Sequence, residues 1–164
     1  TLPSHDAHLQ HTLDAFLFCC YSGLRYSDFV RLTAQNLITV DGCQWLSFRS
    51  QKTGVKISLP LYLLFHGKAL TILDRYKSDL KSFFSLPLNS TVNRELKRIK
   101  VLAKLNKHFS FHTARHTHAT LLIYNGVQIT TVQKLLGHRS VKTTEIYSEI
   151  FSGTIIKDLK QCKF

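Results

Sequence analysis

Apolar residues at Leu9, Leu13, Phe16, Leu17 and Cys20 recur at three- and four-residue intervals. That spacing predicts a helix over 5–21 with one face turned to a core. Gly23 follows and supplies a C-terminal stop. Ser27 reads as the N-cap of a short second helix, "DFVRLTAQ". The texture then changes. "QWLSFRS" alternates, "QKTG" interrupts, and "VKISLPL" alternates again. Two alternating runs around a Gly-containing connection predict a β-hairpin with Lys52 at or near its turn. Beyond Pro60 the helical spacing returns over 66–80, 90–105, 112–125, 128–136 and 141–150. Asn125-Gly126 and Gly137 punctuate the last three. The stretch "SFFSLPLNS" over 82–90 reads as a loop from its Pro and Ser content. The expected fold is mostly α with a small antiparallel β-sheet, in the α+β class.

The chain has 164 residues, the size of one ordinary domain, and 44% of them are hydrophobic, enough for a sizeable core. Lys and Arg number 22 against 10 Asp and Glu, a formal charge of +12. Such an excess favours a polyanionic partner, either nucleic acid or an acidic membrane surface, and charge alone does not choose. No apolar run approaches the roughly 20 residues of a membrane helix. "LDAFLFCCYSGL" is the longest candidate, and Asp14 interrupts it. The polar N-terminus "TLPSHDAHLQ" is not expected to be a secretory leader. With no Met anywhere, the chain is expected to be a piece of a larger protein. Cys19, Cys20, Cys43 and Cys162 form no Cys-x-x-Cys pair and read as free thiols of a reducing cytosol.

Candidate chemistry concentrates in "FHTARHTHAT", residues 111–120. On a helix, His112, Arg115, His116 and Ala119 fall within about 100° of one another, and His118 points away. The pair His112 and His116 has the i, i+4 spacing of a zinc-binding helix. It lacks the acid of a His-Glu-x-x-His helix, and Arg115 beside it would repel a cation. Two readings stay open for the stretch itself: hydrogen-bonded structural histidines, or a grip on phosphate. A phosphate grip needs further cations and a nucleophile. Arg25 in "YSGLRYSD" follows a predicted helix end. His138 in "LLGHRS" follows a Gly, and Tyr147 in "TTEIYSEI" stands nine residues beyond it. Tyr147 alone reads equally as a packed aromatic.

Taken together, "SGLRYSD", "QKTG", "HTARH" and "LLGH" followed by Tyr147 resemble the tyrosine recombinase (integrase) family. Their order and spacing match that family's catalytic domain over nearly all of 1–164. The resemblance implies roles. Arg25 and Arg115 are similar to the two catalytic arginines, His112 to the histidine three positions before the second, and Lys52 to the hairpin lysine. His138 stands where relatives have His or Trp, and Tyr147 where they have the nucleophile. Asp28 matches an acidic support position and His116 a supporting histidine. His118 departs from the pattern, where relatives more often carry Phe or another apolar residue, and is read as a packing variant.

The implied reaction is DNA strand exchange through a 3′-phosphotyrosine link, serving integration or excision of a mobile element. Two guanidinium forks suit the extra negative charge of the transition state. Tyr147, ordinarily with a pKa near 10, needs help to attack. His112 is the candidate base, and the arginines are expected to favour the phenolate. Lys52 is the candidate acid for the departing 5′ oxygen, and His138 is expected to hydrogen-bond the phosphate. No metal or other cofactor is implied. Arg49, Lys56, Arg139 and Lys142, with Lys97, Arg98, Lys100, Lys104 and Lys107, are candidates to line the DNA backbone, or are solvated surface charges.

The resemblance also implies double-stranded DNA as partner, a homotetramer on DNA for the full-length protein, and a bacterial, cytoplasmic, nucleoid-associated setting. An N-terminal core-binding domain is expected to lie outside this chain, leaving the isolated domain monomeric. Ile150, Phe151, Ile155, Ile156 and Leu159 give the tail an amphipathic look, for docking in cis or in trans. Two rivals remain at this point: a type IB topoisomerase relaxing one strand, and a catalytically silent DNA-binding module.

Overall fold

The computed structural model describes residues 7–107 and 110–147. Among them are eight helices and one three-stranded antiparallel sheet. The expected class, mostly α with a small sheet, is what is found. The first 16-residue helix, α1 (Ala7–Ser22), is the axis of the domain. It packs against α3 (Lys68–Arg75), α5 (Asn89–Leu102) and α6 (Phe111–Tyr124). Its buried residues run around much of its circumference, so it behaves as an interior helix. Asp14 lies on that buried surface and is 2% exposed. It accepts hydrogen bonds from Tyr76 Oη at 2.7 Å, Arg75 Nη2 at 2.9 Å and Gln10 Nε2 at 2.9 Å. A carboxylate taken out of water needs such partners.

The core is built on aromatic rings. Phe18, Phe29, Phe83, Phe84 and Phe111 are all fully buried. Phe29 alone meets Phe84 at 5.4 Å, Phe83 at 5.4 Å, Phe18 at 5.9 Å and Phe111 at 6.2 Å between centroids, all edge-on. Edge-to-face pairs of this kind add to plain area burial. Phe29 ends the four-residue helix α2 (Tyr26–Phe29), so the cluster anchors the segment carrying Arg25.

The sheet runs β1 (Leu37–Val40), β2 (Cys43–Arg49), β3 (Lys56–Pro60) in that spatial order. The predicted hairpin is β2 and β3, paired Leu46 to Leu59 and Phe48 to Ile57. Lys52 stands in the 50–55 connection, as the alternation implied. Strand β1 was not anticipated. Its turn, Asp41-Gly42, takes φ of 50° and 75°, the two left-handed residues of a type I′ turn.

Four boundaries differ from expectation. Ser27 is not a helix N-cap: Arg25 holds that position, extended at φ −80°, ψ 156°, and "DFVRLTAQ" divides into α2 and a 3₁₀ turn at Ala34–Asn36. The 66–80 helix begins later, because Phe65, His66 and Gly67 all take left-handed φ, and it ends where Tyr76 leaves helical geometry. The 82–90 loop is shorter, because α4 (Leu80–Phe84) forms there. Asp79 caps it by accepting from the Ser82 amide at 2.9 Å, and its turn drives Phe83 and Phe84 into the core. Of the 141–150 helix, α8 (Lys142–Glu145) is seen, and the amphipathic tail lies outside the described residues. Helix α7 (Ile129–Leu136) agrees with its expected span. No helix among the described residues is long and apolar enough to cross a membrane.

Replacing Phe29 with Ala empties the centre of the aromatic cluster. Urea denaturation is expected to show a loss of about 3–5 kcal/mol, and the placement of Arg25 is expected to suffer with it, because Arg25 is the N-cap of the helix that Phe29 ends.

Candidate active site

Helix α6 brings most of the site together, and its start is firmly held. The Phe111 amide donates to Asn93 Oδ1 of α5 at 2.8 Å, and the Ser110 amide donates to Thr113 Oγ1 at 2.9 Å. Ala114 and Ala119 are fully buried and small enough to let α6 lie close on α1. Arg115 therefore enters the interior and is only 2% exposed. Its Nη1 donates to the Gly23 carbonyl at 2.7 Å. Its Nη2 donates to the Leu136 carbonyl at 2.6 Å and to His138 Nε2 at 2.9 Å. Burial, with help from Arg25, pulls its pKa down to about 10, which leaves it charged at neutral pH. Hydrogen bonds to a charged donor contribute about 1.5–3 kcal/mol each.

His138 is fixed from both sides. Because Nε2 accepts from Arg115, the proton sits on Nδ1, which donates to Thr144 Oγ1 at 2.9 Å. Burial, then the charges of Arg115, Arg25 and Lys52, pull its pKa down to about 4, consistent with a neutral ring. Its ring nitrogens are thus engaged by Arg115 and Thr144. Its contact here is with Arg115.

Tyr147 is 8% exposed, and its ring meets His116 edge-on at 5.2 Å. His116 in turn stands 4.6 Å from His112, ring planes at 90°. Burial raises the Tyr147 pKa. Arg115 and Arg25 pull the other way, as expected, but burial outweighs them. His112 faces solvent, and its pKa is lowered by partial burial, by His116 and by the cations around it.

Arg25 leaves its turn with Nη1 3.3 Å from Ser50 Oγ and 3.6 Å from the Asp28 carboxylate. Asp28 is buried and also accepts from the Gln51 amide at 2.8 Å. It thus supports Arg25 and ties α2 to the 50–55 loop. A cleft of about 210 Å³ opens beside Arg25, Ser27 and His112. Lys52 is exposed, yet its charge acts on both His112 and His138. Arg25, Lys52, His112, Arg115, His138 and Tyr147, with Asp28 and His116, are therefore gathered around one region. Of the proposed backbone contacts, Lys56 and Lys142 are exposed on β3 and α8. Arg49 and Arg139 instead direct their guanidinium groups to loop carbonyls, Gly54 and Thr53.

His118 is fully buried, away from the other histidines. Its Nδ1 donates to the Cys20 carbonyl at 3.2 Å, its ring meets Phe65 at 5.4 Å, and its Nε2 has no partner. Burial pulls its pKa down to about 4. Gly23, at φ +72°, is pressed against it: a Cβ there would stand 2.6 Å from His118 Cδ2. The packing role expected of His118 is thus to shape the turn whose carbonyl holds Arg115. Composition had no way to reveal the other supports, since the acceptors at Gly23 and Leu136 are main-chain oxygens. Among the described residues, no group of three or more His, Cys, Asp or Glu is placed to hold a metal ion.

Residues 4–152 match the sequence profile of the phage integrase family. The chain belongs to the phage integrase family. As a member, it is 28% identical over 141 residues to a tyrosine recombinase of Agathobacter rectalis, covering 79% of this chain and 44% of that protein. It is 31% identical over 111 residues to the tyrosine recombinase XerD of Staphylococcus haemolyticus, covering 68% and 32%. The chain thus spans less than half the length of either relative. Its fold is that of solved integrases. A lambda integrase dimer bound to a COC′ core site superposes with TM-score 0.69 at 23% identity, over 91% of this chain and 56% of that one. The XerH site-specific recombinase in a post-cleavage complex with a palindromic difH substrate gives TM-score 0.70 at 18% identity, over 97% and 48%. The resemblance read from the motifs is borne out.

His118 and His138 set a pH dependence of stability. Both have folded pKa values near 4, below the ordinary 6.5, so the unfolded chain binds more protons between those values. Their contribution is complete above 6.5 and is lost as pH falls toward 4, at ~1.4 kcal/mol per pH unit for each group. Urea midpoints taken from about pH 7 to about pH 5 should fall accordingly, and His118→Phe should flatten the slope.

Proposed function

We propose that the chain is the catalytic domain of a site-specific DNA recombinase that cuts and rejoins strands through a 3′-phosphotyrosine intermediate. The observation that carries this reading is the placement of Tyr147. A tyrosine far along the chain from Arg25 and Arg115 lies against His116, under the electrostatic influence of both arginines. A tyrosine that only filled the core would have no need of that setting.

In this reading the phosphodiester lies over Arg25 and Arg115. Tyr147 Oη attacks phosphorus, the P–O bond to tyrosine forms, and the P–O5′ bond breaks. His112 takes the phenolic proton. Its lowered pKa keeps it neutral and able to accept at pH 7. Lys52 gives a proton to the 5′ oxygen. The guanidinium groups meet the charge that builds on the non-bridging oxygens, and removing one such group typically costs about 2.7–4 kcal/mol of barrier. Two fixed cations can supply this stabilisation without a metal. His138 acts first on Arg115, holding its fork in register. The covalent link preserves the energy of the broken bond, so a second 5′-hydroxyl can rejoin the strand without ATP.

DNA is the proposed partner, in keeping with the +12 charge and with the DNA-bound integrases of the same fold. Integration or excision of a mobile element, by a full-length tetramer with further domains, is the proposed setting.

The test uses nicked duplexes with a randomised core, from which a cut releases a short 5′-hydroxyl fragment and traps the protein. The full-length protein is expected to form a covalent adduct with a subset of the pool, and Tyr147→Phe none. Adduct from Tyr147→Phe overturns the reading. The adduct rate should rise with pH along a limb below 6.5, as His112 loses its proton. Recombination between two copies of the recovered sequence, against relaxation of supercoiled plasmid, separates recombinase from topoisomerase.

A further inference from the structure

We propose that Arg139 is a positioning residue: through the Thr53 carbonyl it sets where the Lys52 ammonium stands, instead of gripping a DNA phosphate. The inference rests on the reading of Lys52 as proton donor.

The geometry is specific to the loop. Arg139 lies just after His138, and its Nε and Nη2 both donate to the Thr53 carbonyl oxygen, at 3.0 and 2.6 Å. Thr53 Oγ1 donates to the Gly137 carbonyl at 3.0 Å. The residue after Lys52 is therefore bound twice to the α7–α8 turn. The residue before it is bound to the other side, where the Gln51 amide donates to Asp28 Oδ1 at 2.8 Å. The loop closes on itself through Ser50 N–H to the Val55 carbonyl at 2.9 Å and Gly54 N–H to the Ser50 carbonyl at 2.8 Å. Arg49 adds a bond to the Gly54 carbonyl at 3.1 Å.

Lys52 thus stands at the crown of a strap fixed at both feet, one beside Arg25 and one beside His138. An untied hairpin loop samples many conformations, and a proton donor on it is seldom in place. The two ties restrict the base of the lysine stem and leave its flexible end free. A guanidinium with two N–H groups on one carbonyl has turned much of its fork away from DNA.

Leaving-group chemistry separates the two roles. With an ordinary phosphodiester, the 5′ oxygen departs with a proton from Lys52. With sulfur at the bridging 5′ position, the P–S bond breaks and a thiolate departs. Thiols have pKa near 8.5, so the thiolate needs no donor. The experiment uses the full-length protein and a duplex recovered from the randomised nicked pool, remade with either atom. Single-turnover adduct rates are read at saturating protein, with DNA affinity measured across salt concentrations.

Arg139→Ala is expected to slow cutting of the oxygen substrate by up to about 10²-fold and to match the parent on the sulfur substrate. Thr53→Val, which removes the second tie, is expected to act in the same direction. Equal slowing on both substrates, or a salt slope reduced by about one, makes Arg139 a phosphate contact and overturns the inference. Lys52→Ala is the control. If it recovers on sulfur while Arg139→Ala does not, the inference alone falls. If Lys52→Ala fails to recover, the proton-donor reading falls and takes the inference with it. A parent protein that forms no adduct with the pool removes both.

Discussion

A guanidinium buried in protein without acceptors costs several kcal/mol, so the burial of Arg115 dictates what must surround it. Its acceptors come from three places: the turn after α1, the end of α7, and the ring of His138. The turn after α1 carries Arg25. The end of α7 leads into His138 and Arg139. One side chain thereby fixes the relative positions of segments that are remote in sequence. The aromatic cluster performs the corresponding task from behind, with Phe29 holding the helix that Arg25 precedes as N-cap and Phe111 holding the start of α6.

The site carries more positive charge than it neutralises. Arg25, Lys52 and Arg115 converge, and Asp28 is the acid that partners Arg25. Burial first, and then this field, depress the pKa of His112 and of His138. A bound anion would oppose that field and raise both. Burial acts in the same direction as the field and does not depend on an anion, so both rings remain biased toward the neutral form.

Legibility from sequence followed the range of the interactions. Helices α1, α6 and α7 and the β2–β3 hairpin were readable because their patterns are local. Strand β1 was passed over although Asp41-Gly42 is a hairpin signal, because four residues with little burial give almost no alternation. Helix α4 was hidden by Ser and Pro around it. What decides it is the burial of Phe83 and Phe84 against Phe29, a tertiary demand. Ser27 is not the N-cap because the chain is already helical from Tyr26, with Arg25 the extended residue before it. The candidate catalytic set was legible from motif order. Its supports at Gly23, Leu136, Thr53 and Thr144 were not, since main-chain acceptors leave no signature and the hydroxyls are ordinary until the fold assigns them.

The grip on Arg115 is made largely by main-chain oxygens, and this shapes how the protein can be damaged. A carbonyl cannot be deleted by changing a side chain; it can only be moved. Sensitivity is thereby shifted from the residues that touch the guanidinium to those that bend the chain near it. Gly23 is wedged against His118, and at Gly137 a Cβ would run into Ile57, with both glycines in left-handed conformations. The weak points of this site are two residues with no side chain at all.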